Sequence, residues 1–318
     1  MSRKIFIILA GIILVSALVL AVACNSNSPA NTITPSTVDP TISTPSASSS
    51  ETPLNTDTPE PTKTTPTNTG ASPTPSPVIR PNIIIDHTNW DWYESQTGSV
   101  FENVAGLRIF FAHASVGSNV LDGVAGLNSL DSMKYPLRQE KSGSNPPATT
   151  SDGVIYEYPR GNPGWLKKIK DFAVYIENGW NVPAVDVVMN KFCYIDQEAE
   201  WEIYRDSMIA LENQYPDTRF IYWTMPVTTS GGSDTVLRSK FNQNLREWVK
   251  IRQGKVLFDI ADIEAWSPDG QQQIIVSEGQ DCQQLYARYT SDGGHLNDEG
   301  ARRVAIGLYS LFGKLVNP

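Results

Sequence analysis

The sequence predicts an α/β protein: a three-layer α/β/α sandwich around a five-stranded, mostly parallel sheet, built from residues 81–318. Two patterns carry this. Short, continuously apolar runs alternate with longer amphipathic ones, as expected of strands buried on both faces and joined by crossover helices. Capping residues stand where those helices should begin and end.

In chain order, the predicted strands are 107–112, 154–158, 185–190, 219–225 and 255–260. The predicted helices are 116–127, 165–178, 198–215, 234–252 and 298–316. Gly179 and Gly254 follow the second and fourth helices, where a left-handed residue closes the last turn. Asn297 precedes the last helix as an N-cap, and Asp298 and Glu299 in the first turn suit the positive end of the helix dipole. Segment 82–106, with Trp90 and Trp92, has no clear period and is expected to pack along the outside of the domain. Right-handed crossovers leave the carboxyl ends of the strands on one side of the sheet, which is where such folds bind ligands.

The chain before residue 81 cannot build a core. Arg3 and Lys4 precede an apolar run from 5 to 23, and residues 1–24 read as a lipoprotein signal peptide. The run ends in Leu20-Ala21-Val22-Ala23-Cys24, which resembles a bacterial lipobox with Ala21 where Leu is usual. The resemblance implies lipid attachment at Cys24. The alternative is an uncleaved anchor, because this run of 19 residues is close to the ~20 that span a bilayer. Either way the domain is expected outside the cytoplasm, tethered to the cell membrane. Residues 25–80 hold half of the 22 prolines and no aromatic residue, so they are expected to form a disordered Ser/Thr/Pro-rich linker.

Charge and composition remove several functions. With 25 basic against 34 acidic side chains and a net charge of −9, the chain lacks the Lys/Arg clusters that nucleic acid demands. It has no Cys-x-x-Cys, His-Glu-x-x-His or P-loop motif, which disfavours structural zinc, zincin and P-loop readings. Only His87, His113 and His295 are available for histidine chemistry.

Two segments fall at predicted strand ends. In Phe111-Ala112-His113-Ala114-Ser115-Val116-Gly117, Ser115 sits where a strand turns into a helix. In Ser291-Asp292-Gly293-Gly294-His295-Leu296-Asn297, a carboxylate three residues before a histidine can fold back across two glycines. It would accept the imidazole Nδ1 proton and leave Nε2 facing a nucleophile. A serine at a helix start is most often only a cap, and Asp-Gly-Gly-His alone is a plausible surface turn; together, in this order, they point to catalysis. Ser118 is the nearest rival nucleophile.

These segments resemble the first and last blocks of the SGNH (GDSL-type) hydrolase superfamily, in block order from about 107 to 315. The resemblance implies a flavodoxin-like sheet and a serine esterase, for which no metal or organic cofactor is expected. Ser115 would be the nucleophile, His295 the general base and then acid, and Asp292 its orienter. Asp292-Gly293-Gly294-His295-Leu296-Asn297, followed by Gly300, fits the final block closely. At the first block, His113-Ala114 stand where Gly-Asp is typical. The third block, usually Gly-x-Asn-Asp, aligns with Cys193-Tyr194-Ile195-Asp196, so Ile195 replaces an oxyanion-hole Asn. The expected oxyanion donors are the Ser115 amide and, as compensation, Gly161 or Asn162. An ester is the expected substrate, with acylated carbohydrate favoured by location. A non-catalytic glycan- or surface-binding lipoprotein on the same scaffold is the alternative. An α/β-hydrolase reading of the near Gly-x-Ser-x-Gly at 113–117 fails, because Ser115 follows the first predicted strand rather than several.

The remaining polar residues carry milder expectations. His113 is expected in hydrogen-bonded packing, His87 in a structural role, and Asp262 and Glu264 in a solvated loop. Asp196 is a candidate for orienting a loop at the site rim. Trp90, Trp165, Trp223 and Trp266 are expected in the core before any sugar-stacking role. Cys193 and Cys282 could pair or stay as thiols.

Overall fold

Each strand divides its apolar side chains between two faces, and this division builds the layers. The computed structural model describes residues 80–317; the signal segment, Cys24 and nearly all of the linker lie outside it. The strands are β1 (Ile83–Ile85), β2 (Arg108–His113), β3 (Arg138–Lys141), β4 (Val154–Pro159), β5 (Val187–Asn190), β6 (Arg219–Trp223) and β7 (Val256–Phe258). The helices are α1 (Gly98–Ala105), α2 (Val116–Leu130), α3 (Trp165–Glu177), α4 (Trp201–Gln214), α5 (Ser233–Lys250), α6 (Ile260–Ala265) and α7 (Asp298–Val316). On β2, Ile109 and Phe111 enter the core shared with α1, α2 and α7, while Phe110 and Ala112 enter the core shared with α3, α4 and α5. Alternate residues of β5, β6 and β7 do the same.

The sheet is wholly parallel, in the order β1-β7-β6-β5-β2-β4-β3. Its five inner strands are the five predicted, and their order β4-β2-β5-β6-β7 is the flavodoxin-like one, with its switch point between β2 and β5. The expected count of five is corrected to seven. β1 and β3 add one strand at each edge, and both are too short, or in the case of Arg-Gln-Glu-Lys too polar, to announce themselves. A separate antiparallel hairpin joins β8 (Ile274–Ser277) to β9 (Gln280–Gln283).

Segment 82–106 runs along the sheet edge but also builds structure of its own. It contributes β1 and α1, and Tyr93 is fully buried against Tyr309. The Tyr93 amide donates to Ser310 Oγ at 2.9 Å, and that hydroxyl donates to the Trp90 carbonyl at 2.7 Å. Gly179 and Gly254 take positive φ, and the Asn297 side chain accepts the Gly300 N–H at 3.1 Å. Among the described residues no helix is long and apolar enough to cross a membrane.

Helices α2 and α7 are in close contact at Gly123, where a Cβ would lie 2.3 Å from the Ala301 carbonyl oxygen. Gly126, one turn on, faces open space. Gly123→Val should therefore overpack this contact and lower stability by about 1–3 kcal/mol. Gly126→Ala should raise it by about 0.5–1 kcal/mol through helix propensity. Chemical denaturation of the two variants measures the opposite signs.

Candidate active site

Ser115 follows β2 immediately before α2 and takes φ 55° and ψ −117°, a positive φ that a β-carbon disfavours. Such backbone strain costs about 1–3 kcal/mol and survives only where the surroundings impose it. Here Gly117 allows the constraint, because a Cβ on it would meet His113 Cβ at 2.5 Å. Ser115 occupies the N-cap position of α2 but makes no capping bond. Its hydroxyl instead donates to His295 Nε2 at 2.6 Å, across 180 residues of sequence.

Residues 292–295 form the turn that presents His295. Asp292 Oδ1 accepts the Gly294 amide at 2.9 Å and the His295 amide at 2.8 Å, and Oδ2 accepts the ring Nδ1–H at 2.7 Å. These three donors, the two amides foremost, hold the carboxyl well below the usual carboxylate range, although it lies at the surface. Gly293 has φ 89°, and a Cβ there would lie 2.6 Å from Thr229 Oγ1. The Gly293 carbonyl accepts the Thr229 amide at 2.9 Å, so the 227–230 loop buttresses the turn.

That loop is itself held from below. Fully buried Glu264 accepts the Val227 amide at 2.8 Å through Oε2 and leaves Oε1 unpartnered. Burial pushes its carboxyl from 4.5 up to about 8, against the opposing pull of Lys191 and Arg238. The expectation of a solvated loop at Asp262 and Glu264 is thus corrected: both are buried on α6.

The 193–196 loop forms the facing wall. Asp196 turns inward, accepting the Cys193 amide at 2.7 Å and a charge-assisted bond from buried Lys168. Ile195 turns outward, with 53 % of its surface exposed. Tyr194 packs edge-on against His295, ring centroids 5.7 Å apart. Its carbonyl accepts Arg238 Nη1 at 3.0 Å. Beside Asp292 opens a pocket of about 320 Å³, lined by Tyr194, Thr228, Ser230, Asp234 and Arg238 among others.

The remaining sequence candidates each have a defined place in the fold. Gly161 and Asn162 are exposed after β4; Asn162 Oδ1 accepts Lys168 Nζ at 2.7 Å. The turn they belong to borders the end of β2, where the Arg160 amide donates to the His113 carbonyl at 3.0 Å. His113 is buried, donates from Nε2 to Glu157 at 2.8 Å, and is pushed down to about 4 chiefly by burial, so it is neutral packing. His87 stacks on Trp266 with centroids 3.8 Å apart and bonds Asp262. Cys193 and Cys282 are buried free thiols. Trp223 lies in the core.

Asp86, His87 and Asp262 place one ligand atom each within 4.8 Å of one another, the geometry of a possible cation cluster. Asp262 is already engaged, however: Oδ2 accepts the His87 amide at 2.9 Å and the His87 ring, and Oδ1 accepts Gln283 at 2.7 Å and Trp266 Nε1 at 3.3 Å. The cluster follows β1, four strand spacings or roughly 19 Å from β2.

Tyr194, Arg238 and Thr229 are the site residues that sequence reasoning missed. A signal for Tyr194 exists in the second glycine of Asp-Gly-Gly-His. A Cβ on Gly294 would lie 2.9 Å from Tyr194 Cζ.

No family model and no curated protein matches the chain. Among solved structures, a candidate platelet activating factor from Streptococcus pneumonia is 14 % identical, with a TM-score of 0.39, and the match covers 68 % of this chain and 92 % of that one. That likeness is too slight to bear on function.

Two stability measurements test the site's construction. Ser115→Gly should be more stable than Ser115→Ala by about 1 kcal/mol, because glycine relieves the positive-φ strain at some cost in chain entropy. Between pH 4.5 and 8 folded Glu264 keeps a proton that the unfolded chain releases. Stability should therefore fall as pH rises through that interval. Glu264→Gln should flatten this slope in denaturation curves taken across the range.

Proposed function

We propose that the chain is an extracytoplasmic serine esterase of SGNH type, tethered by the segment that precedes its linker. The single observation that supports it most is the unbroken hydrogen-bonded line from Ser115 through His295 to Asp292, borne on a strained strand-to-helix turn. A structural serine would cap its helix. This one addresses an imidazole whose other nitrogen is fixed by a carboxylate.

In this reading His295 Nε2 takes the Ser115 hydroxyl proton as Oγ bonds to the ester carbonyl carbon. The carbonyl π pair moves onto oxygen, and the imidazolium is stabilised by ionised Asp292. Collapse of the tetrahedral intermediate breaks the bond to the alcohol, which leaves with the proton from His295. Water, deprotonated by the same nitrogen, then hydrolyses the acyl-enzyme and restores Ser115. The Thr228, Ser230, Asp234 and Arg238 side chains and the modest volume of the pocket beside Asp292 favour a small ester with hydroxyls to bind, such as acylated carbohydrate, over a long acyl chain.

Incubation of the full chain with a fluorophosphonate probe and with p-nitrophenyl acetate tests the proposal. Wild type should be labelled at Ser115 and turn over the ester. Ser115→Ala and His295→Ala should each lose about 10³-fold or more in turnover, and Asp292→Asn about 10²- to 10⁴-fold. Labelling that persists in Ser115→Ala removes the nucleophile. A wild-type chain with neither labelling nor turnover is instead a non-catalytic binding module.

A further inference from the structure

The aligned third block lacks the amide that an esterase of this type would aim at its oxyanion, and Ile195 in that place points to solvent. The neighbouring residue supplies what is missing. We infer that the Tyr194 hydroxyl, together with the Ser115 amide, forms the oxyanion hole; the inference rests on the esterase reading above.

Four observations carry it. The phenol stands beside the Ser115–His295 pair: its ring centroid lies 5.7 Å from that of His295, whose Nε2 accepts from Ser115 at 2.6 Å, and among the described residues nothing hydrogen-bonds its hydroxyl. The Ser115 amide likewise makes no hydrogen bond to a described residue, leaving a second donor on the same turn. The ring is wedged in place: it packs on His295, and Gly294 leaves the space its Cζ and hydroxyl occupy, since a Cβ there would meet them at 2.9 and 3.1 Å. Finally, the Tyr194 backbone is clamped through its carbonyl by Arg238, a residue that is itself buried and bound to Thr228 and Thr235.

Chemically the phenol serves well. Burial and the nearby Asp292 charge raise its pKa, so it remains a donor throughout the working range of the imidazole. It keeps its proton during the reaction. As Oγ bonds to carbon and the π pair moves to oxygen, the O–H donates to that oxygen, and the bond strengthens as charge develops there.

Tyr194→Phe removes the hydroxyl and keeps the ring that packs on His295. In the full chain it should lower kcat for p-nitrophenyl acetate by about 10²- to 10³-fold with little change in KM, the signature of a contact made only in the transition state. The affinity of a small alkyl boronic acid, which bonds Ser115 as a tetrahedral adduct, should weaken in parallel. Fluorophosphonate labelling should slow but still reach the wild-type endpoint, which certifies an intact Ser115–His295 pair. Gly294→Ala, which crowds the phenol without deleting it, should slow turnover in the same direction. If wild type is active and Ser115-dependent but Tyr194→Phe keeps its kcat and boronate affinity, the oxyanion assignment is wrong while the esterase reading stands. Should wild type neither label nor turn over, both fall together.

Discussion

One carboxylate organises the candidate site. Asp292 accepts two amides of its own turn and the ring of His295, so a single side chain sets the backbone path of 292–295 and the tautomer of the imidazole together. Asp is suited to this because its short side chain reaches amides two and three residues on, closing an Asx-type turn. The two glycines do different work. Gly293 supplies a positive φ and clears Thr229, whereas Gly294 clears the ring of Tyr194. The turn is thus small and self-bonded enough to stand at the surface without losing its geometry.

The parallel sheet brings Ser115 to it. Strand β2 is the first of the five inner strands in the chain, and the order reverses beside it, so the loops after β2 and β5 diverge and leave a crevice between them. Ser115 comes from the first of those loops and Tyr194 from the second. The 290s segment reaches the same crevice because it leads into α7, which is in close contact with α2 at Gly123 and Ala301. Close contact between those two helices therefore fixes the distance between the serine at one helix start and the histidine before the other.

What the sequence revealed followed the strength of its local patterns. The five inner strands are uniformly apolar and the helix from 298 to 316 has both an N-cap and a long apolar run, so these could be read directly. The edge strands could not. β3 reads Arg-Gln-Glu-Lys and is held only by pairing with β4, a non-local bond with no compositional trace. The elements of segment 82–106 escaped for a related reason: three residues of β1, an irregular turn and a short helix lack the length to display a period, although Tyr93 within them is fully buried. The Asp–His turn and the strand-end serine were legible because their chemistry is local. Tyr194 was not, since its proximity to His295 depends on two loops meeting.

The buried ionisable groups beneath the site follow from the same geometry. Once a strand ends, the backbone beyond it loses its ladder partners, yet near the core it still requires them. Buried ionisable side chains take that part here: Asp196 accepts the Cys193 amide, protonated Glu264 the Val227 amide, and Lys191 and Arg238 donate to the Phe192 and Tyr194 carbonyls. Burying such groups opposes stability, and an apolar replacement of similar volume is often as good or better for folding alone. An apolar replacement, however, would leave each loop carbonyl or amide unpaired, and each loop free to choose another path. The buried layer trades stability for one fixed arrangement of the loops, among them the 193–196 wall that packs on His295 and the 227–230 loop that buttresses the Asp292–His295 turn.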